Sequence, residues 1–141
     1  MGAPQRRGKQ PRRDDAAVIT PLPRAGGRDN GKTPVFCLAH LGRDHCLEQL
    51  DTDAAGAFAR TLAKLSRLTW QQISQAPRHG SGFEHMPVTR FRPTLPTPFS
   101  DAEKLMVFRY HGKRPMVGYR VGVVFHVLWI ERQYGEVYDH D

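Results

Sequence analysis

Cysteine is scarce in this chain. Cys37 and Cys46 are the two it has in 141 residues, too few for a disulfide framework, and they read as free thiols of a reducing compartment. A long hydrophobic run is missing too: the longest, Val121 to Ile130, is broken by Gly122 and His126 and has the length of a strand, not of a bilayer crossing. The N-terminal segment is basic without the apolar stretch of a secretory signal. A cytoplasmic protein with no membrane contact is therefore expected. Several enzyme signatures are lacking as well, among them a phosphate-binding loop, a serine nucleophile elbow and a paired metal-binding carboxylate site. No cofactor is expected, and no internal repeat is present.

Large aliphatic residues are rare in the first 32 positions, where Val18, Ile19 and Leu22 stand among Gly, Pro and Arg. Such a segment buries too little apolar surface to offset the cost of ordering. Residues 1–33 are expected to form a disordered basic tail, and residues 34–141 a single domain. The tail has eight basic and three acidic side chains, a net of +5 out of a formal total of +7. Attraction to polyanions thus belongs mainly to the tail, where plain solvation is the competing reading.

What remains has a readable order. Val35 to Ala39 has a short strand pattern ending in the turn composition Gly42-Arg43-Asp44, and His45 to Leu50 is either a second strand or the start of a helix. Asp51 or Asp53 caps a helix whose apolar positions Phe58, Leu62 and Leu65 recur at helical spacing to about Arg67. Thr69-Trp-Gln-Gln72 matches a capping box that opens a short helix from Trp70 to about Gln75, stopped by Pro77. Residues 78–100 form a long connector containing a strand from Val88 to Arg92. Strands are expected at Leu105–Tyr110, Pro115–Arg120, Val123–Glu131 and Glu136–Asp139, with Gly112, Gly122 and Gly135 supplying the positive φ of the turns. The fold class is α+β: N-terminal strand, two-helix unit, and an antiparallel meander of about four strands with the helices on one face.

Within Val123 to Glu131, strict alternation puts Val123, Phe125, Val127 and Trp129 on one face and Val124, His126, Leu128 and Ile130 on the other. Both faces are apolar, as in an interior strand. His126 is then either a core histidine with an internal partner or a half-buried acid–base group lining a cleft. Tyr119 and Arg120 on the preceding strand and Tyr138, Asp139 and His140 on the last are expected beside it, with Asp139 available to orient an imidazole. The loop Arg78-His-Gly-Ser-Gly-Phe-Glu-His85 offers two imidazoles, a carboxylate and a guanidinium; it is either a site or a polar surface loop. If it folds over the sheet, His79, His126 and Arg109 or Arg120 supply what metal-free RNA cleavage needs: a base for the 2′-hydroxyl, an acid for the leaving oxygen and a clamp on the phosphorane. Cys37, His40, His45 and Cys46 are zinc-compatible in type but not in spacing, so no metal site is expected. Trp70, Phe58, Phe108 and Trp129 read as core, leaving Phe91 and Tyr110 to stack a base.

Gly112 to Arg120, Val124 to Ile130 and Tyr138-Asp-His140 together resemble a set of small bacterial proteins. Over residues 34–140 the order strand, helix pair, antiparallel strands is similar to that of the RelE/ParE-like toxin superfamily, which includes ribosome-dependent mRNA endonucleases and gyrase poisons. That resemblance implies RNA as substrate and an antitoxin as protein partner. The expected catalytic residues are His126, His79, His140 and Arg120, with Arg78, Arg109, Lys113, Arg114 and Tyr119 contacting nucleic acid. The alternative is a non-catalytic binding module whose basic tail meets nucleic acid or an acidic partner.

Overall fold

The computed structural model describes residues 29–140. The expected α+β architecture is present as a five-stranded mixed sheet: β1 (Val35–Cys37), β2 (Phe83–Pro87), β3 (Lys104–His111), β4 (Arg114–Val121) and β5 (Val124–Ile130), in the spatial order β1-β5-β4-β3-β2. Strands β2 to β5 are antiparallel neighbours, whereas β1 runs parallel to β5 along the sheet edge. Among the described residues no helix is long and apolar enough to cross a membrane.

Both helices start where the capping residues place them. Asp51 accepts a 2.8 Å hydrogen bond from the Ala54 amide to open α1 (Thr52–Leu65). Thr69 and Gln72 exchange the reciprocal bonds of the capping box to open α2 (Trp70–Gln75). α1 buries Ala54, Ala57, Phe58 and Leu65, and α2 buries Trp70 and Ile73, against Met106, Phe108, Tyr110, Met116, Phe125 and Val127 of the sheet. Residues 29–32, expected in the tail, are instead held on α2: the Trp70 and Gln71 amides donate to the Lys32 and Asn30 carbonyls, both at 2.9 Å. The rest of the expected tail, residues 1–28, lies outside the described residues.

The opposite face of the sheet is covered by chain whose only regular pieces among the described residues are short 3-10 turns. Phe91, Phe99 and Ala102 of the connector and Val137 and Tyr138 of the C-terminal segment pack on Leu105, Val107, Val117, Leu128 and Trp129. This second layer is why the strands read as apolar on both sides.

Four local expectations are corrected. His45 to Leu50 is neither a strand nor the start of an α-helix: two 3-10 turns, Arg43–His45 and Leu47–Gln49, occupy the stretch. The strand expected at Val88–Arg92 is a 3-10 turn over Val88–Arg90, and the connector's strand is β2, which takes in the last three residues of the Arg78–His85 loop. Glu136–Asp139 makes a single bridge, Phe91 to Tyr138, instead of a fourth meander strand. Phe91 and Tyr110 are buried, and neither offers a free stacking face. The glycine turns hold, with φ of 63°, 63° and 88° at Gly112, Gly122 and Gly135.

Alternation along β5 is also broken. Val117 pairs with Trp129 and Gly118 with Val127, so Leu128 is an extra residue, a β-bulge. Phe125, Val127 and Ile130 face the helices, whereas Leu128 and Trp129 face the connector. The bulge carries the next residue, Glu131, to the connector side.

Candidate functional site

The nine residues proposed from sequence fall into four separate places. Arg120 lies on the helix face with its guanidinium 4.2 Å over the Trp70 ring. Its Nε donates to the Gly122 carbonyl at 2.7 Å and its Nη2 to Asn30 Oδ1 at 2.9 Å. It is therefore spent on tying residues 29–32 to the β4–β5 hairpin, and it points away from His126.

His126 is on the connector face, opposite Tyr119 in the β4–β5 register. Phe99 and His40 stand over it with ring centroids 5.3 and 5.8 Å away. Its Nδ1 is buried with no hydrogen-bond partner among the described residues. Burial holds the imidazole below its ordinary pKa, and the neighbouring His40 adds to the depression. A histidine depressed in the folded state contributes stability that is complete above the unfolded value near 6.5 and is lost as pH falls from there through the folded value. His126→Phe, which keeps the aromatic packing, is therefore expected to flatten the loss of stability between about pH 7 and pH 5. Urea midpoints of both proteins across that range check it, and parallel pH profiles would assign the slope to other groups.

The remaining candidates gather at the other end of the connector face, where β3 ends. His79 and Arg109 are joined Nδ1 to Nη1 at 2.9 Å, and Arg78 pairs with Glu84 of β2 at 2.9 Å. Burial pushes the Tyr138 phenol up to about 12, with Glu84 and Glu131 adding to the rise and Arg109 opposing it. The phenol stays protonated at neutral pH within the electrostatic reach of these side chains. His79 and Arg78 are exposed, and Arg109 is half-buried. Lys113 is exposed at the tip of the β3–β4 hairpin, while Arg114 Nη1 donates to the Arg132 carbonyl at 2.7 Å.

No protein-family model matches the chain, and neither a curated protein nor a solved structure matches it. The chemistry of the site therefore rests on its own geometry.

His140 approaches this group from the C-terminal segment. Its Nε2 is 2.9 Å from Glu131 Oε1, and its ring is stacked between Tyr134 and Tyr138 at 4.0 and 4.1 Å. Glu131 is fully buried, and its second carboxylate oxygen accepts the Val137 amide at 3.0 Å. Tyr110 donates to the Glu131 carbonyl at 2.6 Å. Asp139, expected to be available to orient an imidazole, pairs with Arg92 at the surface, and Glu131 orients His140 instead. Nothing in the composition flags Glu131, because its burial depends on the bulge and on the return of a segment nine residues later. With 7% of its side chain exposed, His140 positions Tyr138 from behind rather than facing solvent.

The expected convergence of His126, His79, His140 and Arg120 on one cleft is thus corrected. His79 is joined by Arg109, with Arg78 next to it in sequence bonded to Glu84, and Tyr138, stacked on His140, lies within electrostatic reach of Arg109 and Glu84. His126 lies further along the same face under Phe99, and Arg120 is on the opposite face.

Proposed function

We propose that this chain engages RNA at the β3 end of the connector face and cleaves it without a metal ion, in the manner of RelE-like toxins. The observation that carries the reading is the His79–Arg109 pair, an exposed imidazole bonded to a guanidinium at 2.9 Å. When Arg109 turns from His79 onto the phosphorane it frees Nδ1, which takes the 2′-hydroxyl proton and returns it to the leaving 5′-oxygen, with Arg78 beside it as a second cation. Tyr138, whose phenol is protonated at neutral pH, donates a hydrogen bond to developing negative charge. The succession of strand, helix pair and antiparallel strands supports the same reading. A messenger RNA substrate places the activity in the cytoplasm, and a toxin of this kind requires an antitoxin that covers the site.

A non-catalytic RNA-binding module is the second reading. It is favoured by the separation of His126 and Arg120 from His79, which leaves the exposed site with a single imidazole beside its arginines. One experiment decides between them. Purified full chain is incubated with unstructured RNA in excess chelator, and fragments are resolved on a denaturing gel. The enzyme reading expects cleavage that falls about 100-fold in His79→Ala and in Arg109→Ala while RNA binding by His79→Ala is retained. Binding with no cleavage by the wild type establishes the module. Cleavage that persists in both variants removes the site.

A further inference from the structure

Across the sheet from His79, between α1 and β3, lies a shallow hollow of about 160 Å³ lined by Ala57, Arg60, Thr61, Lys64 and Tyr110. A single water needs about 10–15 Å³ on this measure, so there is room for a tetrahedral oxyanion. Arg60 and Lys64 are four residues apart and share one face of the helix. Gly56 shapes the wall: a Cβ there would stand 3.1 Å from Arg60 Nη1, so the missing side chain lets the guanidinium lie back along the helix. No carboxylate lines the hollow.

The hydroxyls of the lining are already used as donors. Thr61 Oγ1 donates to the Tyr110 carbonyl at 3.3 Å, and Tyr110 Oη donates to the Glu131 carbonyl at 2.6 Å. A ligand therefore meets two positive charges and no free hydroxyl donor. That chemistry suits a backbone phosphate of a nucleic acid, bound without regard to sequence. The β3–β4 hairpin links the hollow to the His79–Arg109 pair: Tyr110 follows Arg109 in β3, and Lys113 is exposed at the hairpin tip. Cations thus run from the helix face, around the end of the sheet, to the connector face.

We infer that the hollow holds a backbone phosphate of a single-stranded RNA bent around the β3–β4 hairpin, several nucleotides from the phosphate held by Arg109. The inference rests on the RNA reading and adds a contact that positions the strand without touching the scissile bond. It is tested by binding alone, so that it fails or survives apart from cleavage. Fluorescence anisotropy of a labelled oligodeoxyuridylate, which lacks the 2′-hydroxyl and cannot be cut by that route, is measured on the full chain between about 50 and 200 mM salt. The Arg60→Gln/Lys64→Gln double variant is expected to bind about tenfold more weakly at the low-salt end, with the log–log salt slope shallower by about 0.7, the value for one phosphate of a single strand. Arg67→Gln, in the turn that follows α1 and outside the hollow, is expected to change both much less. Both altered side chains of the double variant are exposed, and a matching thermal melt excludes misfolding. A double variant with wild-type affinity and slope, a loss equal to that of Arg67→Gln, or a wild type that does not bind the oligonucleotide each overturns the inference. A differential loss of binding in a protein that never cleaves RNA upholds the hollow and removes only the nuclease reading.

Discussion

Replacing Glu131 with alanine is expected to lower the free energy of unfolding by about 2–6 kcal/mol, the sum for two buried hydrogen-bond partners left unsatisfied at about 1–3 kcal/mol each. The side chain is fully buried, and its two oxygens accept from the Val137 amide and from His140 Nε2 at 3.0 and 2.9 Å. Alanine leaves both donors without an acceptor and opens a void beneath Tyr138. Water cannot rescue them unless the C-terminal segment lifts off the sheet, because Val137 and Tyr138 are themselves core. Glu131→Gln preserves volume and one acceptor but turns an amide N–H₂ toward a donor, so an intermediate loss is expected. Tyr110→Phe removes only the bond to the Glu131 carbonyl and is expected to cost about 1 kcal/mol. Urea unfolding of the three variants should therefore rank Tyr110→Phe, Glu131→Gln and Glu131→Ala in order of increasing damage. An Ala variant within about 0.5 kcal/mol of wild type, the scatter of ordinary surface changes, would show that Glu131 does not hold the C-terminal segment down.

The same residue decides how the site is assembled. Glu131 fixes His140, and His140 stacks on Tyr138, which faces the field of Arg109 and Glu84. Under the RNA reading, Glu131→Gln at a temperature where it remains folded should lower kcat more than it raises KM, since it loosens Tyr138, the donor to charge that develops in the transition state, without removing His79 or Arg109.

Elements whose cause is local were legible in the sequence. The caps at Asp51 and Thr69, the stop at Pro77 and the turns at Gly112 and Gly122 act within four residues, and each stands where its chemistry puts it. Features set by distant partners were not legible. β2 forms because β3 offers it an edge, although Phe83-Glu-His-Met-Pro87 follows two glycines and ends in proline. Glu136–Asp139 alternates like a strand but finds only Phe91 to pair with. The site was half legible for the same reason. His79, Arg78 and Arg109 share one region because β2 pairs with β3 and carries its leading loop to the end of β3, as a folded-over loop would. Arg120 was placed wrongly because adjacent strand residues face opposite sides, so Tyr119 and Arg120 cannot both meet His126. His126 itself is separated from His79 by the width of β3 and β4.

Gly118→Ala should be as disruptive as the loss of Glu131, though nothing about its backbone dihedrals demands glycine. The constraint is space: a Cβ at 118 would stand 2.1 Å from the His126 carbonyl oxygen and 2.7 Å from Phe125 Cζ. The clash is with backbone, so a rotamer change cannot relieve it, and a cost of about 3 kcal/mol, the upper end of overpacking, is expected. Gly112→Ala is the comparison. Its added methyl meets nothing within 4 Å, and its φ of 63° leaves only the left-handed backbone penalty, about 1–2 kcal/mol. Gly118 lies at the bulge, where Val127 and the extra Leu128 oppose one residue of β4. Without the bulge, β5 returns to strict alternation, turning Trp129 toward the helices and carrying Glu131 away from His140. Gly118→Ala is therefore expected to lose Trp129 burial and protection of the Val137 amide together, read by tryptophan emission and hydrogen exchange. A variant that unfolds at the Gly112→Ala midpoint with Val137 still protected would mean that β4 and β5 tolerate a methyl at the bulge.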